Sequence, residues 1–357
     1  KWLRARGSTS RDVRAAGFRE LYYSQRVPAG PLFTFGNVMN PWRTPDADDP
    51  NDPFDVVNIF QQNEPSEVVL AGNPDLAPES AETDTIGMVL TGSGALQGLS
   101  FSADYYEISL EEGIVGGNSF NIIDECFNAD VNCDLITFGD PDPDPSQAGN
   151  ALSNIVSIRA PYLNALPYKA TGVDLSLDYN LPLSKLFESG TGSLFFRLIG
   201  TRALEMRVRT ATRDAEIAGQ TGGDSGFFSD FTPAPDWAAN LVVSYLNGPF
   251  TLTTQGRFTS KGVLDKQTPK TGPDDASFDP TLAASVTDNT LPSFLVWNLS
   301  SSYDFKIGSA DNTQVFATIN NIFDKDPPFA SGAVGGANPI FFDTAGRTYR
   351  LGVRVRL

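Results

Sequence analysis

The feature that most constrains this chain is strict alternation of apolar and polar residues in long runs. Val173, Leu175, Leu177, Tyr179 and Leu181 interleave with Asp174, Ser176, Asp178 and Asn180. Phe250, Leu252 and Phe258 oppose Thr251, Thr253, Gln255, Arg257 and Thr259. Leu295, Trp297, Leu299, Tyr303 and Phe305 oppose Asn298, Ser300, Ser302, Asp304 and Lys306. Tyr349, Leu351, Val353, Val355 and Leu357 oppose Arg350, Arg354 and Arg356. A period of two is a β-strand with one apolar and one polar face. Ten such strands are expected, near 1–11, 82–92, 98–110, 168–181, 192–204, 236–246, 249–260, 293–306, 313–323 and 347–357. Strands of soluble domains average about 5–6 residues. Strands that cross a membrane need about 9–11, and these runs approach that length.

The connections alternate in length as well. Links at 93–97, 182–191, 247–248 and 307–312 are short; links at 12–81, 111–167, 205–235, 261–292 and 324–346 are long. A soluble sandwich has no reason to keep every second loop long. An outer-membrane barrel does, with short periplasmic turns and long outer loops. The first strand then runs outward and the last runs back. Tyr179, Tyr245 and Tyr303 fall near the short-turn ends on the apolar face, where amphipathic rings mark a membrane interface. Charge lies on the other face: Arg4, Arg6, Asp104, Asp174, Asp178, Arg197, Arg257, Asp304, Arg350, Arg354 and Arg356. That segregation fits a sandwich or a barrel; strand length and loop asymmetry favour the barrel, with the charges toward its lumen.

Composition closes other routes. A net charge of −17 opposes nucleic acid, whose phosphates need a basic face. There is no histidine, hence no Ser-His-Asp triad, and no phosphate loop or nucleophile elbow occurs; an enzyme is not expected. Cys126 and Cys133 are the two cysteines, and one local pair fits a disulfide in an oxidising compartment. Two thiols fall short of a zinc site. No apolar stretch is long enough for a transmembrane helix and no signal peptide opens the chain. Lys1–Gly7 already alternates, as a part of a longer chain would.

Four segments, in order, resemble the TonB-dependent receptor family of outer-membrane transporters. They are Arg4–Ala15, with its Ser10-Arg11-Asp12-Val13-Arg14-Ala15 ending; Gly72–Thr83, which contains Asn73-Pro74-Asp75-Leu76-Ala77-Pro78-Glu79; Asn320–Pro328, with Asn321-Ile322-Phe323-Asp324; and the closing Gly346–Leu357, whose last residue is usually aromatic in the family. The resemblance implies a transmembrane antiparallel barrel of about 22 strands, with residues 1–357 as its C-terminal part. An N-terminal plug, a TonB box and the first strands would lie outside this chain. It also implies the outer membrane of a Gram-negative bacterium, lipid around the barrel, the TonB–ExbB–ExbD complex as energy source, and active uptake of a bulky nutrient such as an oligosaccharide or a ferric siderophore. A passive porin-like channel and a secreted β-rich carbohydrate-binding protein remain the alternatives.

The long loops carry the candidate site residues. Phe33, Phe35, Trp42, Phe138, Phe227, Phe228, Phe231 and Phe341 could stack on a ligand or pack loop on loop. Arg197, Arg257, Arg350, Arg354 and Arg356 are expected to face the lumen. Asp46, Asp48 and Asp49, and separately Asp140, Asp142 and Asp144, are oxygen-rich enough for Ca²⁺ but lack the order of an EF-hand, and a solvated acidic face is the simpler reading. No other cofactor is expected. In Asn73–Glu79, the prolines fix extended backbone and Asp75 is expected to tighten the turn, an architectural role.

Overall fold

The computed structural model describes residues 2–25, 42, 67–140, 149–152, 155–164, 167–222, 233–264, 266, 289–307, 310–330 and 336–356. Ten long strands dominate: β1 (Leu3–Arg14), β2 (Glu79–Thr91), β3 (Leu99–Glu111), β4 (Tyr168–Pro182), β5 (Ser193–Arg209), β6 (Trp237–Asn247), β7 (Phe250–Thr259), β8 (Phe294–Ile307), β9 (Ala310–Asn320) and β10 (Thr348–Arg356). They form one sheet in sequence order, each antiparallel to its neighbour. All ten expected strands are present, and the links alternate short and long as expected.

The boundaries differ where tertiary pairing extends a strand. β5 continues past residue 204 because, beyond a bulge between Ala203 and Glu205, it still pairs with β4 and also takes the short strand Asp214–Glu216 as a partner. β9 ends at Asn320 rather than 323. Asn321 takes a left-handed backbone, φ 50°, which asparagine tolerates better than most residues. Its side chain clasps the turn at both ends of the amide: Nδ2 donates to the Lys325 carbonyl and Oδ1 accepts from the Lys325 N–H, both at 2.9 Å. The Asn-Ile-Phe-Asp segment is therefore a strand-ending turn.

The strands are staggered. One row of paired residues runs Leu99, Tyr179, Phe196, Val243, Thr254, Leu299, Ile319, Tyr349. It begins at the turn end of β3 and leaves at the loop end of β10. Strand tilt of this kind is what closing a sheet into a barrel requires.

Pairing register also assigns the faces. Arg6, Gly87, Asp104, Asp174 and Thr201 share a row and a side. With them on one face lie the other charged residues expected to look into a lumen. The opposite face carries Ile86, Phe101, Leu177, Leu198, Leu241, Trp297 and Leu351. Three of these are solvent-exposed in the isolated chain, Ile86 at 67%, Leu198 at 37% and Leu351 at 84%. An apolar outer belt needs lipid around it. Tyr179, Tyr245 and Tyr303 sit on this outer face near the short turns, and the Tyr245 hydroxyl reaches the turn itself, at the Thr191 carbonyl (3.4 Å). Among the described residues no helix is long and apolar enough to cross a membrane.

The buried apolar clusters all lie at the long-loop end. The largest joins Ile122, Ile123, Cys126, Leu135, Ile136, Ile155, Ile158 and Ala160. A second holds Val208, Ala215 and Ile217, and a third Phe294, Val296 and Phe342.

Candidate functional site

The five long loops build a crown over the wall. The first loop contributes α1 (Phe18–Tyr22) and the strand Glu67–Ala71. The second contributes α2 (Ser119–Ala129) and the strands Ile136–Phe138 and Ile155–Pro161. Glu67–Ala71 pairs in parallel with Ile155–Pro161, whose other edge takes Ile136–Phe138, so the two loops share one small sheet. α2 lays Ile122, Ile123 and Cys126 on it. Cys126 and Cys133 form a disulfide that ties the helix to the next turn. Asn164 and Ala77 exchange hydrogen bonds at 2.9 and 3.0 Å, a second seam between the loops.

The Asn73–Glu79 segment is architectural, with one correction to the expected turn. Asn73, not Asp75, makes it: Asn73 Oδ1 accepts from the Asp75 N–H at 3.0 Å, while Asn73 Nδ2 donates to the Tyr162 carbonyl. Asparagine offers both a donor and an acceptor, so it can tighten its own turn and reach the second loop together. Glu79 accepts from Arg14 and from the Ile114 N–H. Arg14 also binds Glu20, and its hydrogen bond, with that of the Gly17 N–H, holds the Glu20 carboxyl below the usual range.

The third loop bridges two bodies. At one end Asp124 of α2 accepts from Thr212 (2.5 Å) and pairs with Arg213 (3.3 Å). Burial pushes the Asp124 carboxyl up, but hydrogen bonds from Thr212 and Arg213, the Arg213 charge and the Asn128 amide outweigh it and hold it low. At the other end Thr221 N–H donates to the Val263 carbonyl and Val263 N–H to that of Gly219, at 2.9 and 3.0 Å. That stitch fastens the third loop to the fourth. Asn338 of the fifth loop donates to the Thr221 carbonyl at 3.4 Å.

The fifth loop then turns back over the polar face of β5–β8. Arg257 on β7 pairs with Asp343 at 2.7 Å. Phe342 packs edge-on against Phe294 at 5.6 Å and is almost fully buried. Between this loop and the wall lies a cleft of about 610 Å³, lined among others by Ile199, Thr201, Asn240, Arg257, Thr259 and Phe341. From Asn240 a ladder of amides runs along the wall: Gln255 donates to Asn240 at 3.0 Å, and Asn298 to Gln255 at 3.5 Å. Such a volume lies within the roughly 300–1,000 Å³ of small-molecule sites.

Among the expected site residues, the structure brings together Arg257 and Phe341. Trp42 and Phe138 meet elsewhere, edge-on at 5.2 Å against the first core cluster, with Phe127 on the other side of Trp42. Arg197 pairs with Asp178 across β4–β5 at 3.3 Å. Arg350 and Arg354 flank the Phe316 ring, each 5.9 Å from its centre. Arg356 ends β10 on the same register. Phe33, Phe35, Phe227, Phe228, Phe231, Asp46, Asp48, Asp49, Asp142 and Asp144 lie outside the described residues. Asp140 is described, and among the described residues no group of three acidic or cysteine side chains gathers as a metal site. Asn240, Thr201, Asp343 and Phe294 were not singled out from sequence. Asn240 and Thr201 look like any other polar-face residue until the fifth loop covers them.

A tilted antiparallel meander, apolar outside and charged inside, with short turns at one end and a crown of long loops at the other, is the wall of a transmembrane β-barrel. The description "TonB dependent receptor-like, beta-barrel" matches residues 1–322. The chain belongs to that family, one of receptors and transporters and not of enzymes. No curated protein matches it by sequence. Among solved structures it is similar to the ferric enterobactin receptor PfeA of Pseudomonas aeruginosa. A double mutant of that receptor aligns at 14% identity and TM-score 0.55, over 99% of this chain and 38% of the receptor. A single mutant in complex with enterobactin aligns at 13% and 0.55, with the same coverage. At such identity the likeness speaks for the fold. The chain spans 38% of the length of these receptors.

Proposed function

We propose that residues 1–357 form the C-terminal wall and much of the mouth of a TonB-dependent transporter in a Gram-negative outer membrane. The plug and remaining strands would come from sequence outside this chain. The loops bind a bulky nutrient such as an oligosaccharide or ferric siderophore, and the TonB–ExbB–ExbD complex supplies the energy. The observation that carries this reading is the combination of an apolar belt outside with a crown whose loops are bonded to one another and folded over the lumen-facing wall. The fifth loop is held on the inner face by Arg257–Asp343 and by Phe342 against Phe294. A transporter gains a shaped site. The family match over residues 1–322 supports the same class of whole protein.

The test uses the full-length protein. Reconstituted in planar bilayers it should conduct few ions, and solute uptake by cells expressing it should cease when TonB is deleted. Steady open-pore conductance with uptake unchanged by TonB loss would establish the passive channel instead.

A further inference from the structure

The cleft beneath the fifth loop has a composition that selects among ligands, an argument that rests on the transport reading above. We infer that this cleft binds a neutral, polyhydroxylated solute, an oligosaccharide, rather than an anionic metal chelate. Charge is the first reason. Among the described residues that line the cleft Arg257 is the one cation, and Asp343 already neutralises it at 2.7 Å. Asp174 stands behind Thr201, accepting from its hydroxyl at 2.7 Å, and adds a negative charge. A multiply anionic chelate entering here would give up hydration and find no uncompensated cation in return.

Hydrogen-bond capacity is the second reason. The floor offers the Asn240 Nδ2 as a donor, its Oδ1 being held by Gln255, and the Thr201 and Thr259 hydroxyl oxygens as acceptors, their protons being given to Asp174 and to the Phe341 carbonyl. A sugar hydroxyl both donates and accepts, so it can use the donor and the acceptors alike. The fixed Arg257–Asp343 pair adds a donor beside an acceptor, a match for two adjacent hydroxyl groups. Phe341 supplies the third requirement, a partly buried ring packed at 6.4 Å against Phe342, on which the C–H face of a pyranose can lie.

The experiment screens full-length protein in detergent on an array of neutral oligosaccharides, with ferric enterobactin as the anionic probe. At least one glycan should bind, and ferric enterobactin should not. Asn240→Ala and Phe341→Ala should each weaken that glycan at least about tenfold, with heat-modifiable gel migration showing that the barrel is folded. Asp343→Asn keeps the loop's shape and frees the Arg257 charge; it should weaken the glycan and raise affinity for the anionic probe. A blank array, unchanged glycan affinity in the Asn240 and Phe341 variants, or tight ferric enterobactin binding by the unaltered protein would each overturn the inference. TonB-dependent uptake of ferric enterobactin would overturn it while sustaining the transport reading; TonB-independent conductance would remove that reading itself.

Discussion

The wall and the crown are stabilised in opposite ways. The wall is a single sheet most of whose apolar side chains point outward, toward where lipid belongs. Ile86, Leu351 and Val353 remain exposed in the chain alone, so the sheet carries no core of its own. The crown resembles a small soluble domain: a three-stranded sheet, a helix, a disulfide and a buried cluster centred on Ile158 and Ile122, each 1% exposed. One region needs the bilayer as solvent and the other needs water. A single chain can satisfy both because every second connection is long enough to fold against its neighbours beyond the wall.

That contrast can be broken at the core first. Ile158→Ala should cost the crown about 2–5 kcal/mol and leave the wall intact. Protease cleavage within 112–167 should accelerate while the barrel still migrates as folded on an unheated gel. Loss of the folded barrel band would show that wall and crown are one cooperative unit. On the wall, Leu177→Arg places a charge on the outer belt and should cost about 2–4 kcal/mol at mid-membrane in refolding into lipid vesicles. Ser176→Arg, one residue away and facing inward, should cost far less. Equal costs would refute the face assignment.

The disulfide gives a somewhat smaller effect. Cys126→Ser with Cys133→Ser removes a short closed loop, worth about 2.5 kcal/mol by chain entropy. Amide exchange should quicken in α2 and in Cys133–Leu135, but not in β3 or β4. The smallest effect is in the joint between the second and third loops. Asp124 is held below the ordinary carboxylate value in the folded protein. The pairing with Arg213 therefore contributes fully above the unfolded value of about 4 and is lost as pH falls through the lower folded one. Exchange in 210–222 should rise only in that acidic window, and Asp124→Asn should abolish the pH dependence. A rise near neutral pH would exclude Asp124 as the cause.

The same contrast explains what could be read in the sequence. All ten wall strands were legible because a face that meets lipid and a face that meets the lumen impose strict alternation, and Val173–Leu181 shows it without exception. Where a strand ends depends on partners far along the chain, so the extension of β5 was not visible: it needs Asp214–Glu216 and the bulge at Ala203. The Cys126–Cys133 bond was legible from count and spacing. The crown was not. Parallel pairing of Glu67–Ala71 with Ile155–Pro161 joins residues 90 apart, Val69 with Arg159 for one, and no local period announces it. For the site, Arg257 and Phe341 could be picked out from sequence as a polar-face charge and a loop aromatic. Their meeting at one cleft, and the part of Asn240 and Asp343, follow from the fold of the fifth loop. Asn73 shows a finer miss: its side chain took the turn role expected of Asp75 because an amide can serve two loops where a carboxylate can only accept.

The staggered row from Leu99 to Tyr349 has a mechanical corollary. The row enters at the floor of the wall and leaves at its roof within eight strands, so it does not circle the barrel at one height. A horizontal cut through the wall crosses a different row at nearly every strand. The hydrogen bonds are laid like the strands of a rope rather than the hoops of a cask: no single ring can open as a seam at one depth, and a load on the crown is shared down a spiral to the opposite side of the membrane.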